Sequence, residues 1–352
     1  MLSSFVHVLL SLGYARACLN GSASTAKAIL VDTDIFSDVD DVGALSVTNV
    51  LHNCGLVNLL GIAINTHSEY GALAASVINT YFGNGDVPIA SLRPLTKETF
   101  VDEYDHLRGE YAARLAFNFP RQLSNASDTP TPVQMYRSIL SGAEAESITI
   151  ISVGFLSNLA ELLSSPAELP QGQSGLQLVS TKAKELVIMG GLYPSGWEYN
   201  FGGSDPDSTA YVLANWPPNV PVTYSGGELG AEIMSGQSLK DYVSTDSPIA
   251  AAYEWYVGRC STTRESWDPI TVLYGALGLD GFSEIGIKSP FEYANEYGRN
   301  SIVTANGSNA WVNDTSVRNQ HWLKLAEGVR NESVAWLLDQ FYMRDPLERI
   351  CF

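Results

Sequence analysis

Positively charged side chains are scarce in this sequence. Its 352 residues include 20 lysines and arginines against 38 aspartates and glutamates, which gives a net charge of −18 at pH 7. Such a chain repels a phosphate backbone, so DNA and RNA are excluded as expected partners. A neutral small molecule that contains a sugar stays compatible with this charge.

Cysteines and long apolar runs are also scarce. The four cysteines, Cys18, Cys54, Cys260 and Cys351, are scattered along the chain, which does not resemble a zinc site. Their even number is compatible with two disulfides, and three connectivities are open. Beyond the N-terminus no run reaches 18 apolar residues, so we expect no membrane span.

The N-terminus has features of a secretory signal peptide. An apolar stretch at 5–10 precedes Ala15-Arg16-Ala17, a small-x-small cleavage pattern, although the usual basic start is missing. A buried first helix is the alternative. Five N-glycosylation sequences begin at Asn20, Asn125, Asn306, Asn313 and Asn331. We therefore predict that residues 1–17 are removed and that the protein is a secreted, extracellular glycoprotein.

Apolar runs suited to buried strands alternate with helical patterns. Strands are predicted at 28–31, 57–64, 87–90, 147–153, 185–189 and 220–224. Helices are predicted at 42–51, 70–82, 103–116, 132–140, 156–163, 207–214, 248–259, 269–277 and 332–342. This alternation predicts a single α/β domain with a mostly parallel, Rossmann-like central sheet and helices on both faces. Loops are predicted at 117–131 and 165–183, and a hairpin at 300–312.

Five aspartates follow the first predicted strand within ten residues, namely Asp32, Asp34, Asp38, Asp40 and Asp41. Carboxylates this close repel one another, and away from water they would not all stay ionised without a cation. A ligand set made only of oxygen suits Ca²⁺ or Mg²⁺. The predicted place, the carboxyl end of a strand, is where open α/β sheets bind ligands. A solvated acidic loop that caps a helix is the alternative.

Three later segments also carry polar groups at the ends of predicted elements. Ser266-Trp267-Asp268-Pro269 opens a helix, and helix capping alone would explain its aspartate. Gly154-Phe155-Leu156-Ser157-Asn158 turns from a strand into a helix. Met189-Gly190-Gly191 ends a strand and precedes Glu198-Tyr199-Asn200, a polar and aromatic segment suited to the lip of a small-molecule site.

Together and in this order, these segments resemble the nucleoside hydrolase family of the inosine-uridine preferring type. The resemblance covers roughly residues 27–345, which it implies are one catalytic domain. It implies hydrolysis of the N-glycosidic bond of ribonucleosides to ribose and a free base. The expected partner is a small-molecule nucleoside, with no nucleic acid or membrane, and a homo-oligomer is compatible with the sequence.

The resemblance also implies roles for matching residues at a metal site. Asp34, Asp41 and Asp268 would bind Ca²⁺ through their carboxylates, and Val153 would bind it through its backbone carbonyl. The ribose 2′- and 3′-hydroxyls and a water molecule would complete the coordination. Asp40 would be the general base that takes a proton from the water bound to Ca²⁺.

Substrate contacts are implied for four positions. Asn200 and Glu198 would hold ribose hydroxyls, including the 5′-hydroxyl, while Asp268 would contact the ribose as well as the metal. Asn65 is the nearest match to an asparagine that the family has after its second strand. His67, in the same segment, could protonate the leaving base, and a structural role is its simpler interpretation.

Two departures from the family pattern affect the predicted chemistry. The signature loop is two residues longer than its tightest form, which makes Asp38 an alternative ligand or base. Trp267 stands where the family often has a histidine. This resembles the purine-preferring branch, in which an aromatic ring stacks on the base and helps it leave, and Trp197 could also stack. Simple packing is the alternative for Trp267.

Two other functions stay open at this stage. Haloacid-dehalogenase-like phosphatases also begin with a strand and Asp-x-Asp, but no later segment fits the second acidic loop that they need. A secreted nucleoside- or sugar-binding protein with a retained metal pocket and no turnover is the other alternative, and Trp267 in place of histidine supports it. The intact set Asp34, Asp40, Asp41 and Asp268 favours the hydrolase.

Overall fold

The structure is a computed structural model that describes residues 26–99, 110–167, 172–242, 246–258, 261–346 and 351. Several features of the sequence lie outside the described residues. They are the predicted signal peptide, Cys18, Asn20, Cys260 and the first part, 103–109, of one predicted helix.

Most strands of the described residues belong to one sheet. In chain order the strands are β1 Lys27–Thr33, β2 Val57–Ile64, β3 Ile89–Ser91, β4 Ile148–Ser152, β5 Ala183–Met189, β6 Ser195–Gly196, β7 Val222–Ser225, β8 Met234–Ser235, β9 Arg264–Glu265, β10 Phe291–Tyr293, β11 Arg299–Ile302, β12 Asn309–Val312 and β13 Gln320–Leu325. Eight of them form the central sheet in the order β10-β13-β7-β5-β4-β1-β2-β3. All neighbours in this sheet are parallel except the edge pair β10–β13, which is antiparallel.

Helices cover both faces of this sheet. In chain order they are α1 Asp40–Asn53, α2 Glu69–Tyr81, α3 Tyr111–Asn118, α4 Pro132–Gly142, α5 Ser157–Ser164, α6 Gly175–Lys182, α7 Tyr199–Gly202, α8 Pro206–Asn215, α9 Gly227–Ala231, α10 Leu239–Tyr242, α11 Pro248–Val257, α12 Trp267–Leu277 and α13 Asn331–Tyr342. Within the described residues, none of these helices combines the length and apolar character needed to cross a bilayer.

The core forms two layers because successive side chains of a strand point to opposite faces. In β1, Ile29 and Val31 pack against the layer that contains α1, α2, α11, α12 and α13. Leu30 points the other way, into the layer that contains α4, α5, α6 and α8. Both faces of β1 are therefore buried, as expected for a central strand of a parallel sheet.

The predicted fold class is confirmed: the chain is a single α/β domain with a mostly parallel sheet of eight strands. All six predicted strands are present, and the predicted hairpin is the antiparallel pair β11–β12. The prediction of a loop at 165–183 was wrong, because α6 lies there. Its start is fixed by Ser174 and Gln177, whose side chains form a capping box.

Two features bear on the predicted secretion. Cys54, which follows α1, forms a disulfide with Cys351, so one of the open pairings is defined. Of the predicted glycosylation sites in the described residues, Asn125, Asn306 and Asn313 are exposed, and Asn331 is half-buried at the start of α13. Attached sugars at the three exposed positions would therefore meet no packed core.

Candidate active site

Three aspartates from distant parts of the chain meet at the carboxyl edge of the central sheet. Asp34 follows β1, Asp41 lies in the first turn of α1, and Asp268 lies in the first turn of α12. One carboxylate oxygen from each lies within 4.8 Å of the others. Thr33 donates a hydrogen bond to Asp41 Oδ1, which orients that carboxylate. All three groups offer oxygen only, the donor type that Ca²⁺ and Mg²⁺ prefer.

Burial makes this cluster electrostatically costly. The exposed fractions of Asp34, Asp41 and Asp268 are 6%, 1% and 4%. Burial, followed by the neighbouring charge of Asp38, raises the pKa of Asp34 to about 7. Burial and the other aspartates raise the pKa values of Asp41 and Asp268 well above the usual range. A divalent cation would offset this repulsion, so the residues present fit such an ion.

Asp40 lies beside the cluster without belonging to it. Its Oδ2 accepts a hydrogen bond from the backbone N–H of Asp268 at 3.0 Å, and its side chain is buried. Burial, followed by the charge of Asp38, raises its pKa well above the usual range. The contact fixes the Asp40 carboxylate next to one member of the three-aspartate cluster.

Asp38, the alternative ligand or base, has a different environment. Its carboxylate accepts hydrogen bonds from Nε and Nη2 of Arg264, the first at 3.0 Å. Oδ1 also accepts the backbone N–H of Val39 at 2.6 Å. The structure does not bring Asp38 into the group formed by Asp34, Asp41 and Asp268.

The end of β4 approaches the cluster through Val153 and Gly154. The Val153 N–H donates to the carbonyl of Asp32 at 2.7 Å, and its carbonyl accepts from Nδ2 of Asn200 at 3.2 Å. A Cβ on Gly154 would lie 2.6 Å from the backbone nitrogen of Asp34. This position therefore needs glycine for the close approach of the two chain segments.

Glu198 and Asn200 are held on the short helix α7. Glu198 is its N-cap, and its carboxylate accepts the N–H groups of Asn200 at 2.8 Å and Gly191 at 3.0 Å. Burial raises the pKa of Glu198 to about 7, although the N–H donors oppose the rise. Asn200 also donates to the carbonyl of Met189 at 3.2 Å, so these side chains are fixed against the ends of β4 and β5.

Asp32 is buried but organises its neighbours instead of joining the cluster. It accepts hydrogen bonds from Asn65 Nδ2 at 2.5 Å, Tyr136 Oη at 2.6 Å and Asn158 Nδ2 at 3.1 Å. Burial raises its pKa to about 6. Asn65 also donates to the carbonyl of Phe155, and its buried Oδ1 has no hydrogen-bond partner among the described residues.

A cavity of about 300 Å³ opens at the same edge of the sheet. Its lining includes Phe36, Asn65, His67, Phe155 and Tyr199, and the volume is at the lower end of the range for small-molecule pockets. Burial, followed by the charge of Asp34, raises the pKa of Tyr199. Asp34, Asp41 and Asp268 themselves do not line this cavity. His67 is exposed, and its Nδ1 lies 2.8 Å from the carbonyl oxygen of Pro94.

Trp267 is half-buried at the start of α12. Its Nε1 donates to the carbonyl of Gly227 at 2.8 Å. A Cβ on Gly227 would lie 3.2 Å from Cγ of Glu198, so the indole reaches the same site. Trp197 is 50% exposed, and its ring centroid is 6.5 Å from that of Tyr199.

Residues 29–322 match the sequence profile of the inosine-uridine preferring nucleoside hydrolases. The chain belongs to this family. This nucleoside hydrolase is therefore a hydrolase that acts on N-glycosyl compounds. No curated protein matches it in sequence.

Solved structures of known nucleoside hydrolases share the fold. A plant nucleoside hydrolase is 17% identical with a TM-score of 0.61, and the match covers 90% of this chain and 99% of the plant chain. The inosine-uridine preferring enzyme of Bacillus anthracis is 16% identical with a TM-score of 0.63, covering 90% and 99%. The purine-preferring ribonucleoside hydrolase of Gardnerella vaginalis is 14% identical with a TM-score of 0.62, covering 91% and 98%.

Sequence reasoning missed some residues that shape the site of this nucleoside hydrolase. Thr33 and Asn158 stand inside the recognised motifs, so their polarity next to buried strand ends was an available signal. Tyr136 lies in α4 and Arg264 in β9. No spacing or pattern connected either of them to the aspartates.

Proposed function

We propose that this nucleoside hydrolase cleaves the N-glycosidic bond of ribonucleosides with the help of Ca²⁺ held by Asp34, Asp41, Asp268 and the carbonyl of Val153. The observation that supports it most is the meeting of three buried carboxylates from the first and last thirds of the chain. When bound there, the ion would orient water and the ribose diol and lower the pKa of the water.

Asp40 is the proposed general base. Its carboxylate is fixed beside Asp268 and is buried, which suits a group that takes a proton from an attacking water. Asp38 is a weaker candidate because both of its oxygens accept hydrogen bonds from Arg264. Near-normal turnover in Asp40→Ala would instead assign the base to Asp38.

Asn200, Glu198 and Asn65 are the proposed ribose ligands. Departure of the base leaves positive charge on the sugar, and the buried carboxylates around it would stabilise that charge. The hydrogen bonds that already fix Glu198 and Asn200 keep their positions defined before substrate arrives, which limits the entropy lost on binding.

Trp267 is proposed to stack on the departing base. We expect Trp267→Ala to reduce turnover of purine ribosides more than turnover of 4-nitrophenyl riboside, whose leaving group needs little assistance. The test compares kcat/KM for the two substrates. Equal loss on both would remove Trp267 from the leaving-group role and leave it as packing.

The decisive experiment is reducing-sugar release across a panel of nucleosides, with and without a chelator. We expect release from ribonucleosides, its loss with the chelator and its recovery with added Ca²⁺. Tight nucleoside binding without sugar release would favour the non-catalytic binding protein. Release of phosphate from phosphate esters would favour the phosphatase alternative.

Secretion is part of the proposal. The features that support it are the N-terminal sequence pattern, the exposed asparagines of three glycosylation sequences and the Cys54–Cys351 disulfide. Disulfides are typical of oxidising compartments. The proposed partner is a nucleoside outside the cell.

A further inference from the structure

Arg264 connects two of the features that depart from the family pattern, Asp38 and Trp267. It lies in the short strand β9, where it pairs with Ser235 of β8. Its guanidinium carbon is 5.1 Å from the ring centroid of Trp267 and 5.4 Å from that of Tyr256. These distances are within the range of cation–π contacts. The guanidinium therefore covers one side of the Trp267 indole.

Two carboxylates hold the Arg264 guanidinium in place. Nε and Nη2 donate to the two oxygens of Asp38, and Nη1 donates to Glu265 at 2.7 Å. Only 17% of the Arg264 side chain is exposed. A bidentate pair of this kind fixes orientation as well as distance. Asp38 lies in the loop between β1 and α1, so this pair joins that loop to β9.

A hydrogen bond holds the edge of the Trp267 indole that carries Nε1. Trp267 Nε1 donates to Gly227, and Gly230 of α9 packs against the backbone and ring of Trp267 without a side chain between them. With one edge tied and one face covered, the ring has little freedom to rotate.

We propose that Arg264 is a positioning residue of the reaction, which holds the Trp267 indole in its stacking orientation while Asp38 fixes the guanidinium. The proposal rests on the leaving-group role proposed for Trp267. It also assigns Asp38 a part in catalysis that is neither metal binding nor proton transfer.

The test measures kcat and KM of Arg264→Ala on a purine riboside and on 4-nitrophenyl riboside. Loss of a stacked, desolvated cation should lower kcat/KM for the purine riboside about tenfold. The aryl riboside should change by less than about twofold on the same reasoning. Arg264→Lys should restore part of the loss, because it keeps the charge but not the planar fork.

A double-mutant cycle separates positioning from general stability. If Arg264 acts through Trp267, adding Arg264→Ala to Trp267→Ala should cost nothing further on the purine riboside. Arg114 provides a matched control, since its guanidinium stacks at 4.7 Å over a different tryptophan, Trp255. Arg114→Ala should leave both activities unchanged.

Three results would overturn the proposal: equal loss on both substrates, full additivity with Trp267→Ala, or no loss at all. If Arg264→Ala does not fold, Asp38→Asn and Arg264→Lys carry the same comparison, and both should show the purine-selective loss. Failure of the proposed function is a different result, because the unaltered protein would then release sugar from neither riboside.

Discussion

Replacing Asp268 with asparagine should change the stability of the protein in opposite directions with and without Ca²⁺. One carboxylate oxygen from each of Asp34, Asp41 and Asp268 lies within 4.8 Å of the other two. Two charges at that separation repel by about 3.5 kcal/mol at an effective dielectric constant of about 20. Asp268→Asn keeps the shape of the side chain and removes two of the three repulsive pairs.

The expected gain in stability is smaller than the summed repulsion of those two pairs, because the carboxylates take up protons instead of bearing full charge. Burial raises the pKa values of these carboxyl groups in the folded state. The folded state therefore loses stability as the pH rises above their pKa values in the unfolded state. The loss is complete only above their pKa values in the folded state. At pH 8, above the pKa of about 7 of Asp34, we expect the variant without cation to be more stable by about 2 kcal/mol. In a chain of 352 residues this raises Tm by about 3 °C.

Added Ca²⁺ should reverse the order. At a Ca²⁺ concentration about 100 times its Kd, the unaltered protein gains about 2.7 kcal/mol, whereas the variant has lost a ligand and gains little. Thermal unfolding followed by circular dichroism, in EDTA and across a Ca²⁺ titration, measures the Tm of both proteins without and with the cation. Asp86→Asn, at an exposed position, is the control and should show neither effect. A variant that is less stable than the unaltered protein in EDTA and equally stabilised by Ca²⁺ would refute the shared cation site.

Three other predictions concern separate features. Asp40→Ala should abolish sugar release while Ca²⁺ still raises Tm, because Asp40 lies beside the cluster and not in it; loss of both would make it a ligand. Tyr136→Phe removes a hydrogen bond to the buried carboxylate of Asp32 and should cost about 2 kcal/mol in urea unfolding. Tyr211→Phe, on a 40% exposed ring, is its control, and equal costs would contradict this reasoning. Peptide-N-glycosidase should increase the gel mobility of protein expressed in a secretory host, and unchanged mobility would argue against glycosylation.

The central sheet could be predicted from the sequence because its inner strands are continuous apolar runs, which are typical of buried parallel strands. The sequence carried less information about β10 and β13 at the sheet edge, where half-exposed residues such as Gln320 and His321 interrupt the apolar pattern. The helix α6 was missed because its surroundings are polar, although Ser174 and Gln177 have the spacing of a capping box.

The site shows the same division. Asp34, Asp41 and Asp268 could be selected from motif order, because each lies just after a strand or in the first turn of a helix, where polar groups reach a shared edge. The pairing of Asp38 with Arg264 could not, since it depends on how β9 lies against the acidic loop 226 residues away. Such contacts depend on the packing of distant elements, and no periodic pattern of the sequence indicates them.

The bond between Cys54 and Cys351, 297 positions apart, closes most of the polypeptide into a covalent ring. A protease that cuts one peptide bond inside the ring, for example in the surface segment 117–131, would open it without producing separate pieces. The nicked molecule would migrate as one band on a non-reducing gel and as two after reduction. After such a cut, the segments that carry Asp34 and Asp41 would remain covalently joined to the segment that carries Asp268.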